Sequence, residues 1–157
     1  FNLSGDMHRS ILKQHLWIDA FLSNAYNKQR QLTGVLQRIR NTPFDFTKPR
    51  EIGERIKSTN NGYDNAYQLR HPDNMQKPAA ILFDAQSGRA MTVYSSEPTL
   101  CINTYGKGSC GISLQPLHSG YNSGMEKINN ELFPGQVFHG ATVFFFTTDP
   151  PLIMRTK

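Results

Sequence analysis

Short apolar or alternating segments, separated by glycine, proline and asparagine, recur along the whole chain. Residues 15–22 alternate between two sets of apolar side chains with a period of two, which is typical of a strand. Residues 79–84 and 90–94 flank a Gln-Ser-Gly turn and predict a β-hairpin. Further strands are predicted over residues 35–39, 100–104, 111–115 and 136–147. Such a succession of short strands predicts an all-β fold, an antiparallel sandwich.

Two segments add detail to this prediction. Pro49 precedes the segment 50–57, in which Ile52 and Ile56 are four residues apart. This spacing predicts a short helix, although a glycine lies between the two isoleucines. Residues 144–146 are three consecutive phenylalanines, which predict a strand covered on both faces inside the sandwich.

Length and charge exclude several classes of protein. A chain of 157 residues with 38% hydrophobic and 18% charged residues fits one globular domain over residues 1–157, or part of a larger one. The net charge of +5 is spread along the chain, so no nucleic-acid partner is predicted. No apolar run approaches the ~20 residues that span a bilayer, so no membrane association is predicted either.

The cysteine and histidine content bears on location and chemistry. Two cysteines, Cys101 and Cys110, do not make a disulfide framework, and a reducing, cytoplasmic location is predicted. No cluster of histidine, cysteine and acidic residues has the spacing of metal ligands. The sequence therefore predicts no metal and no cofactor.

The segment Asn61-Gly62-Tyr63-Asp64-Asn65-Ala66-Tyr67 is the candidate binding loop. Aromatic rings cover the apolar face of a pyranose, and a carboxylate accepts its hydroxyl protons. This combination predicts Asp64, Tyr63 and Tyr67 as substrate-binding residues. The alternative is an exposed turn ahead of a strand, because short motifs are weak evidence alone.

The order of motifs resembles that of the aldose 1-epimerase, or galactose mutarotase, family. The first motif, FNLSG, is similar to the second part of the family's His-x-Tyr-Phe-Asn-Leu-x-Gly motif, and GYDNAY is similar to Gly-Phe-Asp-His-x-Phe. The motifs that carry the resemblance are FNLSG at 1–5, QHLWIDA at 14–20, LTG at 32–34, TPFDF at 42–46, GYDNAY at 62–67, SGRAMTVYSSEP at 87–98 and PG at 134–135.

The resemblance implies a large twisted antiparallel sandwich that binds a hexose in a cleft across one sheet. It also implies that this chain is the C-terminal half of such a fold. Half a sandwich would leave strand edges and apolar faces uncovered. A missing N-terminal half, or another protein chain, is therefore expected to cover the exposed sheet.

Mutarotation opens a hemiacetal ring, which needs a base at the anomeric hydroxyl and an acid at the ring oxygen. The resemblance implies that the acid, a histidine, would stand before Phe1. The family's base is the glutamate of Gly-x-x-Leu-Glu, and Gln115 occupies its position here. An amide forms hydrogen bonds but has no useful basicity. Neither His118, predicted on the opposite strand face, nor Glu97, in the Glu-Pro turn, is predicted to replace the base.

Three functions stay open on this evidence. The first is an aldose 1-epimerase that interconverts the α and β anomers of a hexose when complete. The second is a non-catalytic relative, a carbohydrate-binding or structural subunit, which the glutamine at the base position favours. The third is a hexose-6-phosphate epimerase relative, in which Arg70 and Arg89 would converge on the phosphate.

Overall fold

Two antiparallel five-stranded sheets pack around one core. The computed structural model describes residues 1–27, 29, 32–59, 62–104, 109–118 and 131–154. Within these residues the first sheet has the order β10-β7-β6-β1-β4 and the second β3-β2-β5-β8-β9. The strands are β1 His15–Ile18, β2 Ala20–Tyr26, β3 Leu32–Arg38, β4 Arg50–Glu51, β5 Asp64–Leu69, β6 Ala80–Asp84, β7 Arg89–Ser95, β8 Thr99–Asn103, β9 Ser113–Leu117 and β10 Thr142–Thr147.

This architecture confirms the predicted all-β antiparallel sandwich. The predicted hairpin is formed by β6 and β7, which pair in register from Ala80 with Val93 to Asp84 with Arg89. Short 3₁₀ turns lie at Ile11–Lys13, Ile56–Thr59 and Leu152–Met154. None of the described segments is a helix long and apolar enough to cross a membrane.

The segment 15–22, predicted as one strand, is two strands in different sheets. The chain turns at Asp19, whose amide donates to the carbonyl of Ala79 at 2.9 Å. Ile18 before the corner and Ala20 after it are both completely buried. The alternation continues through the corner because the chain bends around the core that both residues face.

The segment 50–57 does not form the predicted helix. Its first two residues form β4 against β1, and a 3₁₀ turn follows at Ile56–Thr59. The amide of Ile52 donates to Gln14 and that of Gly53 to Leu12, at 2.9 and 2.8 Å. These amides bond to a distant stretch of chain, so helical pairing is not available to them.

The core lies between the sheets and is largely aliphatic and aromatic. Each fully buried Leu, Ile, Phe or Met side chain stabilises the fold by about 1.5–3 kcal/mol relative to exposure. The completely buried large residues include Ile11, Leu16, Ile18, Phe46, Ile52, Tyr63, Tyr67, Leu82, Met91 and Leu100.

The three closing phenylalanines are not covered as predicted. They belong to β10, which is the edge strand of the first sheet and, among the described strands, pairs only with β7. Phe145 is 55% exposed, and Val143, Phe144 and Phe146 are also exposed. We call these four residues the β10 apolar strip. A terminal strand has a neighbour on one side, and among the described residues the Phe1 ring packs against Phe144 and Phe146 without burying them.

Candidate functional site

Asp64 is the first residue of β5, the central strand of the second sheet, and it is exposed. Its register partner on β8 is Asn103, whose side-chain amide donates to Asp64 Oδ1 at 3.2 Å. The hydroxyl of Tyr26 donates to the Asp64 backbone carbonyl at 2.5 Å. The carboxylate is thus held in place and open to solvent.

The loop before Asp64 is fixed from the inside. The amide of Tyr63 donates to the Thr104 hydroxyl at 2.8 Å, and the amide of Thr104 donates to the Tyr63 carbonyl at 3.0 Å. The Tyr63 ring meets Phe46 edge-on, with centroids 5.1 Å apart. The Tyr67 hydroxyl donates to the carbonyl of Phe44 at 3.0 Å. Residues of the Thr-Pro-Phe-Asp-Phe turn therefore position the loop that carries Asp64.

The rings of Tyr63 and Tyr67 do not face solvent. Both residues have 0% exposure, and a ring with no exposed surface cannot cover the face of a sugar. Burial raises the pKa of Tyr63 to about 12. Burial, with the nearby charges of Tyr63 and Asp45, raises the pKa of Tyr67 well above its usual range. Of the three predicted binding residues, only Asp64 is accessible in this structure. The two buried tyrosines contact the core and fix the loop that carries Asp64.

Gln115 lies on the same face of the second sheet as Asp64. The register pairs Gln115 of β9 with Cys101 of β8, and Cys101 with Ala66 of β5. Directly opposite residues share a face, as do residues two apart on one strand, and Ala66 is two residues after Asp64. Strand spacing and rise separate the Asp64 and Gln115 backbones by ~12 Å. The two predicted site residues are therefore brought together on one surface.

An open cleft of about 500 Å³ borders Gln115, within the size range of ligand sites. The Phe1 and Phe144 rings form one side, with centroids 5.2 Å apart. The carbonyl of Phe1 accepts from the amide of Ile112 at 2.9 Å. This hydrogen bond connects the aromatic side of the cleft to the residue that precedes β9. We call it the Gln115 cleft. Its lining residues are Phe1, Asn103, Gly111, Ile112, Ser113, Leu114, Gln115 and Phe144.

Phe1 and Phe144 are functional candidates that the sequence analysis did not identify. The sequence pattern indicates the tyrosines beside Asp64 as the aromatic surface, and it predicts the phenylalanine run inside the sandwich. The signal available was the FNLSG motif, which begins with one of these rings. The contact between the two rings depends on the position of β10 in the first sheet, which the sequence pattern does not specify.

Cys101 lies on this face, between Ala66 and Gln115 in the sheet register. Burial, followed by the negative charge of Asp64, raises the pKa of Cys101 to about 11. Its thiol therefore stays protonated and unreactive near neutral pH. The described residues that line the Gln115 cleft include amides and a hydroxyl, but no acidic or basic side chain.

The two arginines proposed for a phosphate are held at different places. Arg70 Nε donates to the carbonyl of Ala20 at 3.1 Å and lies 3.7 Å from the Asp19 carboxylate. Arg89 Nη1 donates to the carbonyl of Leu3 at 3.3 Å. The structure does not bring the two arginines together. It therefore gives no support to the hypothesis of a hexose-6-phosphate epimerase relative. Among the described residues, no group of three or more His, Cys, Asp or Glu side chains could hold a metal ion.

The fold and the cleft define an antiparallel β-sandwich protein whose candidate site lies on one sheet, with polar side chains and an aromatic side. A family model described as aldose 1-epimerase matches residues 1–144. The chain therefore belongs to the aldose 1-epimerase family.

Known relatives agree with this assignment. The chain is 27% identical over 164 residues to galactose mutarotase of Sus scrofa, a match that covers 94% of this chain and 47% of that protein. Galactose mutarotase of Homo sapiens is 26% identical over 159 residues, with 94% and 46% covered. The chain spans about half the length of the curated relatives it matches.

Solved structures share the fold. A GalM/aldose epimerase homologue from C. elegans superposes with a TM-score of 0.72 at 16% identity, covering 93% of this chain and 48% of that one. Galactose 1-epimerase from Lactobacillus acidophilus NCFM superposes with a TM-score of 0.64 at 18% identity, covering 88% and 45%.

Proposed function

We propose that this chain supplies part of a hexose-binding site in a protein that interconverts the α and β anomers of the sugar. The observation that carries the proposal is the placement of Asp64 and Gln115 on one sheet face, in a chain of the aldose 1-epimerase family. The activity belongs to the complete protein, because the chain spans about half of its relatives.

The Gln115 cleft and the adjoining sheet face that carries Asp64 together offer each kind of contact that a pyranose needs. The Asp64 carboxylate accepts hydroxyl protons, and the side-chain amides of Asn103 and Gln115 both donate and accept. The rings of Phe1 and Phe144 present an aromatic surface to the apolar face of the sugar. A hexose in this position would contact both sheets, since Phe144 belongs to the first and the polar groups to the second.

A second candidate function is supported by Gln115 itself. Ring opening requires a base at the anomeric hydroxyl, and an amide does not remove that proton. Among the described residues that line the Gln115 cleft, none is acidic or basic. This favours a non-catalytic relative, a carbohydrate-binding or structural subunit that keeps the fold and orients a sugar hydroxyl with Gln115.

We also propose that the β10 apolar strip is covered in the natural protein. An edge strand with exposed phenylalanines favours pairing or burial, and the relatives are about twice as long as this chain. The covering layer would be the N-terminal half of the sandwich or another protein chain. A cytoplasmic location remains our proposal from the two cysteines.

Polarimetric mutarotation of α-D-galactose by the natural protein, compared with its Gln115→Glu variant, tests the first candidate against the second. A glutamate at this position supplies the base, so we expect the rate to rise by roughly a hundred- to ten-thousand-fold. The matched control is Gln136→Glu, an exposed position whose Oε1 accepts from Phe133, and it should leave the rate unchanged.

The outcomes separate the two candidates. A wild type that binds galactose but does not accelerate mutarotation supports the non-catalytic relative. A rate that Gln115→Glu leaves unchanged contradicts the assignment of this residue to the base position.

A further inference from the structure

We propose that Glu97 and His118 form a second ligand site, which binds adjacent hydroxyls of a neutral cyclic polyol such as a pyranose. The site is an open cleft of about 330 Å³, and none of its lining residues borders the Gln115 cleft. We call it the Glu97 cleft. The proposal does not depend on anomer interconversion.

The structure brings together two residues that are 21 positions apart in the chain. His118 Nδ1 lies 3.3 Å from Glu97 Oε2. The Glu97 amide donates to the Ser95 hydroxyl at 3.0 Å, which fixes the Glu-Pro turn beneath the imidazole. With Nδ1 facing the carboxylate, Nε2 lies on the other side of the ring, and the His118 side chain is 43% exposed. Glu97 and His118 therefore meet at one cleft, which both residues line.

The carboxylate has an unused acceptor. Glu97 is only 8% exposed, and among the described residues Oε2 has no hydrogen-bond donor. The 3.3 Å approach of His118 is within ion-pair distance but lacks hydrogen-bond geometry. Buried acceptors are nearly always satisfied in native proteins, by protein groups, water or ligand. A ligand hydroxyl that donates to Oε2 would satisfy this one.

The rest of the cleft favours a neutral ring-shaped ligand. Its sides include Pro116, Leu117 and Phe138. The Phe138 ring meets His118 edge-on, with centroids 4.8 Å apart and an interplanar angle of 76°. Apolar walls with a few converging polar groups are typical of small-molecule sites. The Glu97 charge repels anions, and the described lining residues offer no second carboxylate to a metal ion.

Gly140 makes the arrangement possible. A Cβ at this position would lie 2.5 Å from Glu97 Oε1 and 3.0 Å from Phe138 Cε1. Only glycine allows the backbone to approach the carboxylate this closely. Gly140→Ala would displace the carboxylate or the ring without changing any charge, and so it perturbs the geometry of the cleft directly.

NMR titration of the His118 imidazole signals in the natural protein tests the site. The probe is methyl β-D-galactopyranoside, which cannot open its ring. We expect a saturable shift, an affinity reduced at least about tenfold by Glu97→Gln, as for one charge-assisted hydrogen bond, and loss of the shift in Gly140→Ala. Cyclohexanol, with a single hydroxyl, should bind at least about tenfold more weakly.

Two variants serve as controls. Gly111→Ala adds a Cβ 3.6 Å from the Phe1 carbonyl, an ordinary contact, and Asp64→Asn alters the other site. Both should leave the His118 shift intact. Absence of a His118 shift in the wild type, or a shift that is the same in Glu97→Gln and Gly140→Ala, would overturn the proposal. Neither outcome bears on anomer interconversion, because the probe is a fixed glycoside.

Discussion

Tyr63 and Tyr67 lie at or within β5, which has a strand on each side, whereas Phe144, Phe145 and Phe146 belong to β10, which has one neighbour among the described strands. The tyrosine rings are completely buried, and the phenylalanine rings are exposed. The residues are similar in size and apolar character. The difference shows that the number of neighbouring strands and layers, rather than the kind of side chain, determines which aromatic residues form the core.

This contrast has a functional consequence. The buried tyrosines hold the loop that presents Asp64, and the exposed Phe144 forms part of the Gln115 cleft with Phe1. The buried rings beside the central strand β5 therefore support the Asp64 loop, and the exposed ring of Phe144 on the edge strand forms part of the cleft surface. The following predictions test the contrast, beginning with the largest expected effect.

Tyr67→Ala should reduce the free energy of unfolding by about 4 kcal/mol, as for other large aromatic residues removed from a core. The change leaves a cavity and removes the hydrogen bond to the Phe44 carbonyl. Urea denaturation of the natural protein measures the effect. Tyr67→Phe is the matched control, and it should cost only about 1 kcal/mol, the contribution of one hydrogen bond. A cost below 1 kcal/mol for Tyr67→Ala would contradict the burial of this ring.

Phe145→Ala tests whether the β10 apolar strip is covered in the natural protein. If a further layer buries the ring, the free energy of unfolding should fall by about 3 kcal/mol. Val35→Ala, at an exposed position on the edge strand β3 of the other sheet, should change it by less than about 0.5 kcal/mol. Equal, small effects of both variants would contradict the proposed covering layer.

Acid should loosen the turn that supports the tyrosines. Burial alone would raise the pKa of Asp45, but hydrogen bonds from the Thr47 side chain and the Asn41 and Thr47 amides, with the Arg50 charge, hold it below its usual value of 3.8. A depressed folded-state pKa contributes stability above the unfolded pKa and loses it as the pH falls through the folded value. We expect thermal stability to decline below about pH 4.

Asp45→Asn is the control for this acid effect, because it removes the titrating group and keeps one acceptor oxygen. The variant should have lower stability at pH 7 and a flatter decline in acid, as followed by circular dichroism melts. An unchanged acid profile in Asp45→Asn would assign the decline to other carboxylates.

Much of the fold was predictable because strands have a local signature. The β6–β7 hairpin needed only two apolar runs and a Gly-containing turn, and alternation located the strands near Leu100 and Gly111. The corner at Asp19 was not predictable, because a period of two continues unchanged when both strands face the same core. The helix predicted over residues 50–57 does not form because the amides of Ile52 and Gly53 bond to the carbonyls of Gln14 and Leu12. No local spacing in the sequence reveals this contact.

The candidate site was predictable only in part. The motif around Asp64 and the position of Gln115 could be read from the sequence, but their common face depends on the β5–β8–β9 register. Tyr63 and Tyr67 were read as binding residues because aromatic side chains beside a carboxylate look the same whether they point outwards or inwards. The approach of His118 to Glu97 depends on where β9 ends relative to the Glu-Pro turn.

The most direct test of the central claim is the response of the Asn103 and Gln115 side-chain amides to D-galactose in ¹H–¹⁵N spectra of the natural protein. Both amides lie at the Gln115 cleft, and Asn103 binds the Asp64 carboxylate. We predict saturable shifts of both signals, with affinity reduced at least about tenfold by Asp64→Asn. Amide signals that do not respond to the sugar at saturating concentration would contradict a hexose site on this face.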